Sequence, residues 1–184
     1  MIFCSYYTLD GYMDDARNLR ISLEELQIAY HFKSINSKGS WLENVKYKPK
    51  FILEMLEEHR CPIVWIDADA IVRKVPIALF HLANTHVDFA AHWRNDSQLL
   101  SGTLFFNDTQ HSRRLLAEWV RLTLEFKDWT DQATLQHAVE VDSPYLKVER
   151  LPASYCQIFD TMAHNGEPVI EHFQASRKYK NKRR

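Results

Sequence analysis

The chain has 184 residues, of which 46% are hydrophobic and 12% aromatic, with only 4 glycines. This composition predicts one globular domain with a sizeable core and excludes the fibrous and disordered classes. The formal net charge of -1 gives no protein-wide field for binding nucleic acid or a membrane surface. Cys4, Cys61 and Cys156 are far apart in the sequence, so we expect reduced thiols and a cytoplasmic location. We find no leader pattern and no apolar run of about 18 residues, so we expect neither a signal peptide nor a membrane span.

The first part of the chain has the pattern of a strand, a loop and a helix. Residues 1–7 are apolar and aromatic, which predicts a first strand, and residues 8–12 read as a loop. From Asp14 onwards apolar residues recur at helical spacing, and the acidic start suits the positive end of the helix dipole. This order is the first half of a nucleotide-binding unit. Residues 27–35 predict the second strand.

A second helix is predicted to begin near Pro49, because proline is tolerated in the first helical turn. Three lysines stand at alternate positions between residues 46 and 50, just before this helix. Two interpretations remain open for them. They place positive charge near a bound diphosphate, or they lie on a solvated loop.

Residues 61–66 form an apolar run opened by a proline, which predicts a central strand buried on both faces. The run ends in Asp67-Ala68-Asp69 and resumes at residues 70–72. A buried carboxylate is costly unless its charge is offset, and ligands bind at the carboxyl ends of strands in open α/β sheets. The two side chains share a face if the strand continues, or converge if the chain turns there. A magnesium or manganese ion carrying phosphate would offset the charge, whereas an Asx turn or a helix cap would explain one of the two residues.

The second half of the chain continues to alternate between strands and helices, which predicts an α/β domain with helices on both faces of a mostly parallel sheet. The predicted elements are a short helix from Pro76, strands at 87–93 and 99–107, helices at 112–126 and from Thr130, and a strand and turn at 148–158. Gly102 lies inside a predicted strand and indicates a bulge or a close approach of the backbone. Asp131 lies in a first helical turn, where the helix dipole alone would account for it.

The end of the chain combines an isolated histidine with a basic tail. His172 comes two residues after the apolar pair at 169–170. Taken alone it could be incidental, but a neutral imidazole is a competent third metal ligand beside two carboxylates. The basic tail is typical of a solvated terminus or of a segment that docks on a polyanion.

These motifs, in this order, resemble the nucleotide-sugar glycosyltransferases of the GT-A fold, in particular the retaining glycogenin and lipopolysaccharide galactosyltransferase type. Asp67-Ala68-Asp69 is similar to their Asp-x-Asp motif, and Asp131-Gln132 to the Asp-Gln pair beside the donor sugar. Residues 172–178 resemble their His-aromatic-x-Gly-x-x-Lys element, with Ala175 at the glycine position. The resemblance implies a single GT-A domain at residues 1–176 and a basic tail at residues 177–184.

The resemblance also implies a role for each candidate residue. Mn²⁺ or Mg²⁺ would be held by Asp67, Asp69 and His172. Asp131 would bind sugar hydroxyls and Gln132 would lie near the anomeric carbon. The remaining contacts to the donor would come from Thr8 and Tyr12 (base or ribose), Lys50, Asp67 (ribose), Ser101 and Gly102 (floor beneath the sugar), and Arg177 or Lys178 (diphosphate).

We therefore predict a metal-dependent glycosyltransferase, a hexosyltransferase or related enzyme, that uses a UDP-sugar and retains the anomeric configuration. An inverting reaction with Asp131 as the base is the alternative stereochemistry. A protein, a glycan, a lipid, a small molecule or modified DNA could accept the sugar. Two other functions remain open. A nucleotidyltransferase usually has a glycine-rich loop after the first strand, and residues 8–11 contain one glycine; a non-catalytic module that binds a sugar nucleotide or a partner would suit the short chain.

Overall fold

The computed structural model describes residues 1–142 and 144–177, in which helices and strands alternate. The strands are β1 (Ile2–Thr8), β2 (Tyr30–Ile35), β3 (Ile63–Ile66), β4 (Ala70–Val72), β5 (Phe89–Arg94), β6 (Gln98–Phe106), β7 (Val148–Arg150), β8 (Gln157–Ile158) and β9 (Ile170–His172). The helices are α1 (Met13–Glu25), α2 (Trp41–Val45), α3 (Lys48–His59), α4 (Ile77–Leu82), α5 (Gln110–Glu125) and α6 (Asp131–Asp142), and two 3-10 turns span Ala153–Tyr155 and Ala163–Asn165. Within these residues we find no helix with the length and apolar character that a bilayer crossing requires.

The main sheet has six strands in the order β2-β1-β3-β6-β5-β7. Strand β6 is antiparallel to both of its neighbours, and the other pairs are parallel. Five of the six strands therefore point the same way, which confirms the predicted α/β fold with a mostly parallel sheet. A second, three-stranded sheet has the order β4-β9-β8.

Both faces of the main sheet are buried, because successive residues of its central strands belong to different core clusters. Trp65 packs with α3, α5 and α6 on one face, whereas its neighbour Val64 packs with α1 and α4 on the other. Phe105 and Phe106 of β6 divide in the same way. The apolar run at residues 63–66 follows from this arrangement, since a strand covered by helices on both sides has no solvent face.

The predicted central strand is divided at the two aspartates. Strand β3 ends at Ile66 in the main sheet, and β4 begins at Ala70 in the second sheet. Residues 67–69 form the turn between them, in which the Ala70 N–H donates to the Asp67 carbonyl oxygen at 3.1 Å. This is the second of the two predicted arrangements, in which the chain turns at the aspartates. The turn places both aspartates after the last residue of β3, beyond the end of the main sheet.

Two local features differ from the sequence prediction. The second strand begins at Tyr30 rather than at residue 27, because Gln27 takes a left-handed conformation (φ 54°) that ends the preceding helix. Residues 41–45 form the short helix α2 before α3, and the Ser40 hydroxyl caps it by accepting from the Glu43 N–H at 3.1 Å. A side-chain cap of this kind stabilises a helix too short to form on propensity alone.

Helix α5 offers a matched test of how the core holds the fold. Leu122 is 1% exposed and Leu124 is 73% exposed on the same helix. We expect Leu122→Ala to lower the free energy of unfolding by about 2–5 kcal/mol, because it leaves a cavity in the core. Leu124→Ala should change it by about 0.5 kcal/mol or less. Urea denaturation of both variants measures the difference, and equal losses would contradict this description of the core.

Candidate active site

A cavity of about 340 Å³ opens where β1 and β3 end, at the carboxyl edge of the main sheet. The predicted site residues that line it are Thr8, Tyr12, Asp67, Asp69, Ser101, Gly102, Asp131, Gln132, His172 and Arg177. Lys50 is not among the lining residues, and Lys178 lies outside the described residues. The cavity is therefore at the edge where ligands bind in open α/β sheets.

The two aspartates of the turn meet His172 at one end of this cavity. Each of the three residues offers one ligand atom, and these atoms lie within 4.8 Å of one another. Strand pairing produces the arrangement, because β9 runs antiparallel to β4 and sets His172 opposite Ala70. The chain after β9 continues around Asp69, whose Oδ2 accepts from the Ala175 N–H at 2.7 Å.

The environment of Asp69 favours a bound cation. Burial, followed by the charge of Asp67, raises the pKa of Asp69 to about 7, although the Ala175 N–H lowers it in part. Two neighbouring carboxylates are costly to ionise together without a positive charge between them. A divalent cation would supply that charge.

His172 has the protonation state and orientation of a metal ligand. It is 1% exposed, and burial lowers the pKa of His172 to about 4, so the ring is neutral at ordinary pH. Its Nε2 lies 2.8 Å from the Thr103 hydroxyl oxygen, whereas the buried Nδ1 has no hydrogen-bond partner among the described residues. A proton on Nε2, donated to Thr103, leaves the Nδ1 lone pair for a metal ion.

Gly102 is required where β6 passes behind this group. A Cβ at position 102 would lie 2.8 Å from His172 Cε1 and 3.0 Å from its Nδ1. The register between β5 and β6 shifts here, opposite Ala91 and His92, so the strand bulges towards the cavity. The Gly102 carbonyl oxygen also accepts from the Asp67 N–H at 2.8 Å. The bulge thus fixes the backbone of one candidate ligand and the ring of another.

Two carboxylates and a neutral imidazole fit a divalent cation such as Mn²⁺ or Mg²⁺. The unpartnered Nδ1 of His172 and the raised pKa of Asp69 both indicate that this donor set suits an ion. We therefore assign Asp67, Asp69 and His172 as a candidate metal site.

Lys48 connects the candidate metal site to the opposite wall of the cavity. It is 3% exposed, and its Nζ lies 2.8 Å from Asp67 Oδ1 and 2.6 Å from Asp131 Oδ2. Burial alone would lower the pKa of Lys48, but Asp131 and Asp67 outweigh it and raise the pKa above the ordinary lysine value. The side chain is therefore a permanent cation between two carboxylates.

The Trp65 indole also orients Asp67, because its Nε1 donates to Asp67 Oδ1 at 2.8 Å. Lys48 contacts the same oxygen. The other carboxylate oxygen, Oδ2, makes neither of these contacts and therefore remains for the candidate metal site.

Asp131 and Gln132 open helix α6 on the opposite wall. Thr130 caps the helix, since its hydroxyl oxygen accepts from the Ala133 N–H at 3.3 Å. The buried Trp119 Nε1 donates to the Asp131 carbonyl oxygen at 3.0 Å. Ser101 joins the pair to β6, because its hydroxyl donates to Asp131 Oδ2 at 2.9 Å and its N–H to Gln132 Oε1 at 3.4 Å.

Among the described lysines, Lys48 lines the cavity and Lys50 does not; Lys48 was not among the predicted site residues. Lys50 is exposed and lies 3.9 Å from Glu54 one turn further along α3. The signal was present in the helical stripe, because Lys48 precedes the inward-facing Phe51, Ile52 and Met55 by three, four and seven positions. Lys50 falls outside that stripe.

The other predicted donor contacts, Thr8, Tyr12 and Arg177, also line the cavity. Thr8 is buried at the end of β1, and its carbonyl oxygen accepts from the Tyr12 N–H at 3.1 Å. Arg177 is exposed and pairs with Asp160, with Nη2 3.2 Å from Oδ1. To bind a diphosphate, the Arg177 guanidinium would have to break its ion pair with Asp160.

Solved structures with the same fold include three glycosyltransferases. The first, which is involved in glycosylation of the major capsid of PBCV-1, has a TM-score of 0.74 at 13% identity and covers 98% of this chain and 97% of its own. The bifunctional glycosyltransferase WbbM has a TM-score of 0.65 at 14% identity, and GlyE of Streptococcus pneumoniae TIGR4 has 0.61 at 15%. Both cover 94% of this chain, which spans 45% of WbbM and 54% of GlyE.

No curated protein sequence matches the chain significantly. A family model described as nucleotide-diphospho-sugar transferase matches residues 14–184. This match includes both aspartates of the turn, the start of α6 and the histidine of β9. The chain belongs to the nucleotide-diphospho-sugar transferase family.

Proposed function

We propose that the protein is a metal-dependent glycosyltransferase that takes its sugar from a UDP-sugar and retains the anomeric configuration. One observation carries the proposal. A candidate metal site and an Asp-Gln pair face the same cavity and are joined by Lys48, which bonds to Asp67 on one side and Asp131 on the other. Such a cavity can hold the diphosphate at one end and the sugar at the other.

We assign one group of lining residues to each part of the donor. Thr8, at the end of β1, and Tyr12, in the loop that follows, would contact the base or the ribose. Asp67, Asp69 and His172 would hold the cation at the diphosphate. A cation bound there supplies Lewis-acid stabilisation of the charge that develops on the leaving diphosphate. Arg177, at the rim, can add a positive charge once it leaves Asp160.

The contacts of Asp131 with Lys48 and Ser101 favour a role in binding sugar hydroxyls over a role as a general base. Its Oδ2 accepts from both the ammonium and the Ser101 hydroxyl, so two donors of the protein already occupy that oxygen and it is not free to receive the proton of an acceptor hydroxyl. This arrangement favours Asp131 as a group that positions the donor sugar, with Gln132 beside the reacting carbon. It supports retention over the inverting alternative, and the anomeric configuration of the product, read by NMR, decides between them.

Release of UDP tests the proposal directly. Several UDP-sugars are incubated with the protein in Mn²⁺ and in a chelator, with and without candidate acceptors, and free UDP is measured. We expect Mn²⁺-dependent release, and we expect Asp69→Asn to reduce it by about 100-fold or more because a carboxylate ligand is lost. Asp128→Asn, an equivalent change at an exposed aspartate, should retain full activity.

The other outcomes of this assay identify the competing functions. Pyrophosphate formation from a nucleoside triphosphate and a sugar phosphate would indicate a nucleotidyltransferase. Mn²⁺-dependent binding of UDP without turnover of any sugar would indicate a binding module. Equal UDP release by Asp69→Asn and the parent would refute the metal site.

Lys48 and Lys50 form a matched pair on one helix. We expect Lys48→Met to lower the free energy of unfolding by about 3–5 kcal/mol, because it leaves the buried Asp131 without its counter-charge. It should also lower UDP release at temperatures where the variant is folded. Lys50→Met should change the free energy by about 0.5 kcal/mol or less. Urea denaturation and the UDP assay measure both, and similar behaviour of the two variants would show that the buried ion pairs are unimportant.

Thr103 tests the orientation of His172. Thr103→Val keeps the branched shape of the side chain but removes the oxygen that lies 2.8 Å from Nε2. We expect Mn²⁺ affinity to fall by about 10–100-fold, as is usual when the partner of a metal-bound histidine is lost. Calorimetric titration with Mn²⁺ measures the affinity. Thr123→Val, at a buried threonine of α5, is the control and should bind Mn²⁺ like the parent; an unchanged affinity in Thr103→Val would remove His172 from the ligand set.

A further inference from the structure

A second group of metal-ligating side chains lies at the outer edge of the main sheet. His31 belongs to β2, the edge strand, and Glu58 and His59 end helix α3. One ligand atom from each residue lies within 4.8 Å of the others. None of the three lines the cavity described above.

The two imidazoles face each other through ring nitrogens. His31 Nδ1 lies 2.8 Å from His59 Nε2 and 3.9 Å from Glu58 Oε1. Two nitrogens bound to one tetrahedral zinc ion, at about 2.0–2.1 Å each, lie about 3.3 Å apart. The rings therefore need to separate by only about 0.5 Å for an ion to replace the hydrogen bond between them.

The surroundings favour a cation at this position. The carbonyl end of α3 carries the negative pole of the helix dipole, and His59 lies in its last turn. Arg60 ends the helix in a left-handed conformation, with φ 48°, so His59 is the last residue of the helix. The side chains of His31 and Glu58 are 30% and 57% exposed, which leaves a path for the ion and for water.

We propose that His31, Glu58 and His59 form a second cation site, selective for Zn²⁺ or a similar transition-metal ion. Two imidazoles and one carboxylate suit zinc, whereas the two carboxylates and one imidazole of the cavity suit manganese or magnesium. Water completes the coordination shell. The bound ion ties the edge strand β2 to the end of α3, and because it binds the folded chain it stabilises the fold.

Zinc titration of paired variants tests the site apart from the cavity. The parent for this experiment is Asp69→Asn, which disables the cavity site. We expect it to bind one Zn²⁺ ion by calorimetry and the double variant Asp69→Asn/His59→Gln to bind none. Asp69→Asn/His137→Gln is the matched control, because His137 lies 4.0 Å from Glu140 without a second imidazole in that pair; it should bind zinc like its parent.

Thermal unfolding separates a metal site from a simple hydrogen bond between the rings. Zinc chloride should raise the melting temperature of Asp69→Asn and leave that of Asp69→Asn/His59→Gln unchanged. If the two histidines only bond to each other, His59→Gln lowers the melting temperature without zinc, and the zinc effect is the same in both proteins. That result, or absence of zinc binding by Asp69→Asn, would overturn the proposal.

Discussion

Three carboxylates that face one cavity at the end of the main sheet are the constraint on which the rest of the candidate site depends. Asp67, Asp69 and Asp131 all line the same cavity, and Lys48 is the ammonium that lies between two of them. This positive charge offsets part of the negative charge, but burial, followed by the charge of Asp67, still raises the pKa of Asp69. A divalent cation and the diphosphate it carries would complete the balance.

The backbone carries Asp67 and Asp69 beyond the end of the main sheet and into the cavity. The chain leaves the main sheet at Asp67, makes a turn and enters the second sheet at Ala70. Pairing of β4 with β9 then brings His172 to the turn from about a hundred residues later in the sequence. The bulge at Gly102 leaves room for its ring. The second, three-stranded sheet thus positions His172, a candidate ligand that does not belong to the main sheet.

The sequence predicted those parts of the fold that depend on local pattern. The apolar run before Asp67 and the helical stripes identified the main elements. A strand buried on both faces has a continuous apolar sequence, and a helix buried on one face has apolar residues at helical spacing. The choice of Lys50 over Lys48 came from the resemblance, although the helical stripe of Phe51, Ile52 and Met55 already favours Lys48 as the inward-facing lysine. The pairing of β4 with β9 could not be read locally at all, because it joins short strands distant in sequence. The resemblance to glycosyltransferases supplied His172 instead.

Helix α3 links the two groups of candidate ligands and has the matching polarity. Lys48 opens the helix, and His59 closes it; the eleven steps between them correspond to about 16 Å of helix. The positive pole of the helix dipole thus lies at the end beside Asp67 and Asp131, and the negative pole lies at the end where we propose a zinc ion. Because a helix transmits its orientation as a rigid body, an ion that fixes His59 against β2 would also restrict the direction from which Lys48 enters the cavity. The edge of the sheet and the candidate active site are therefore joined by one helix of twelve residues.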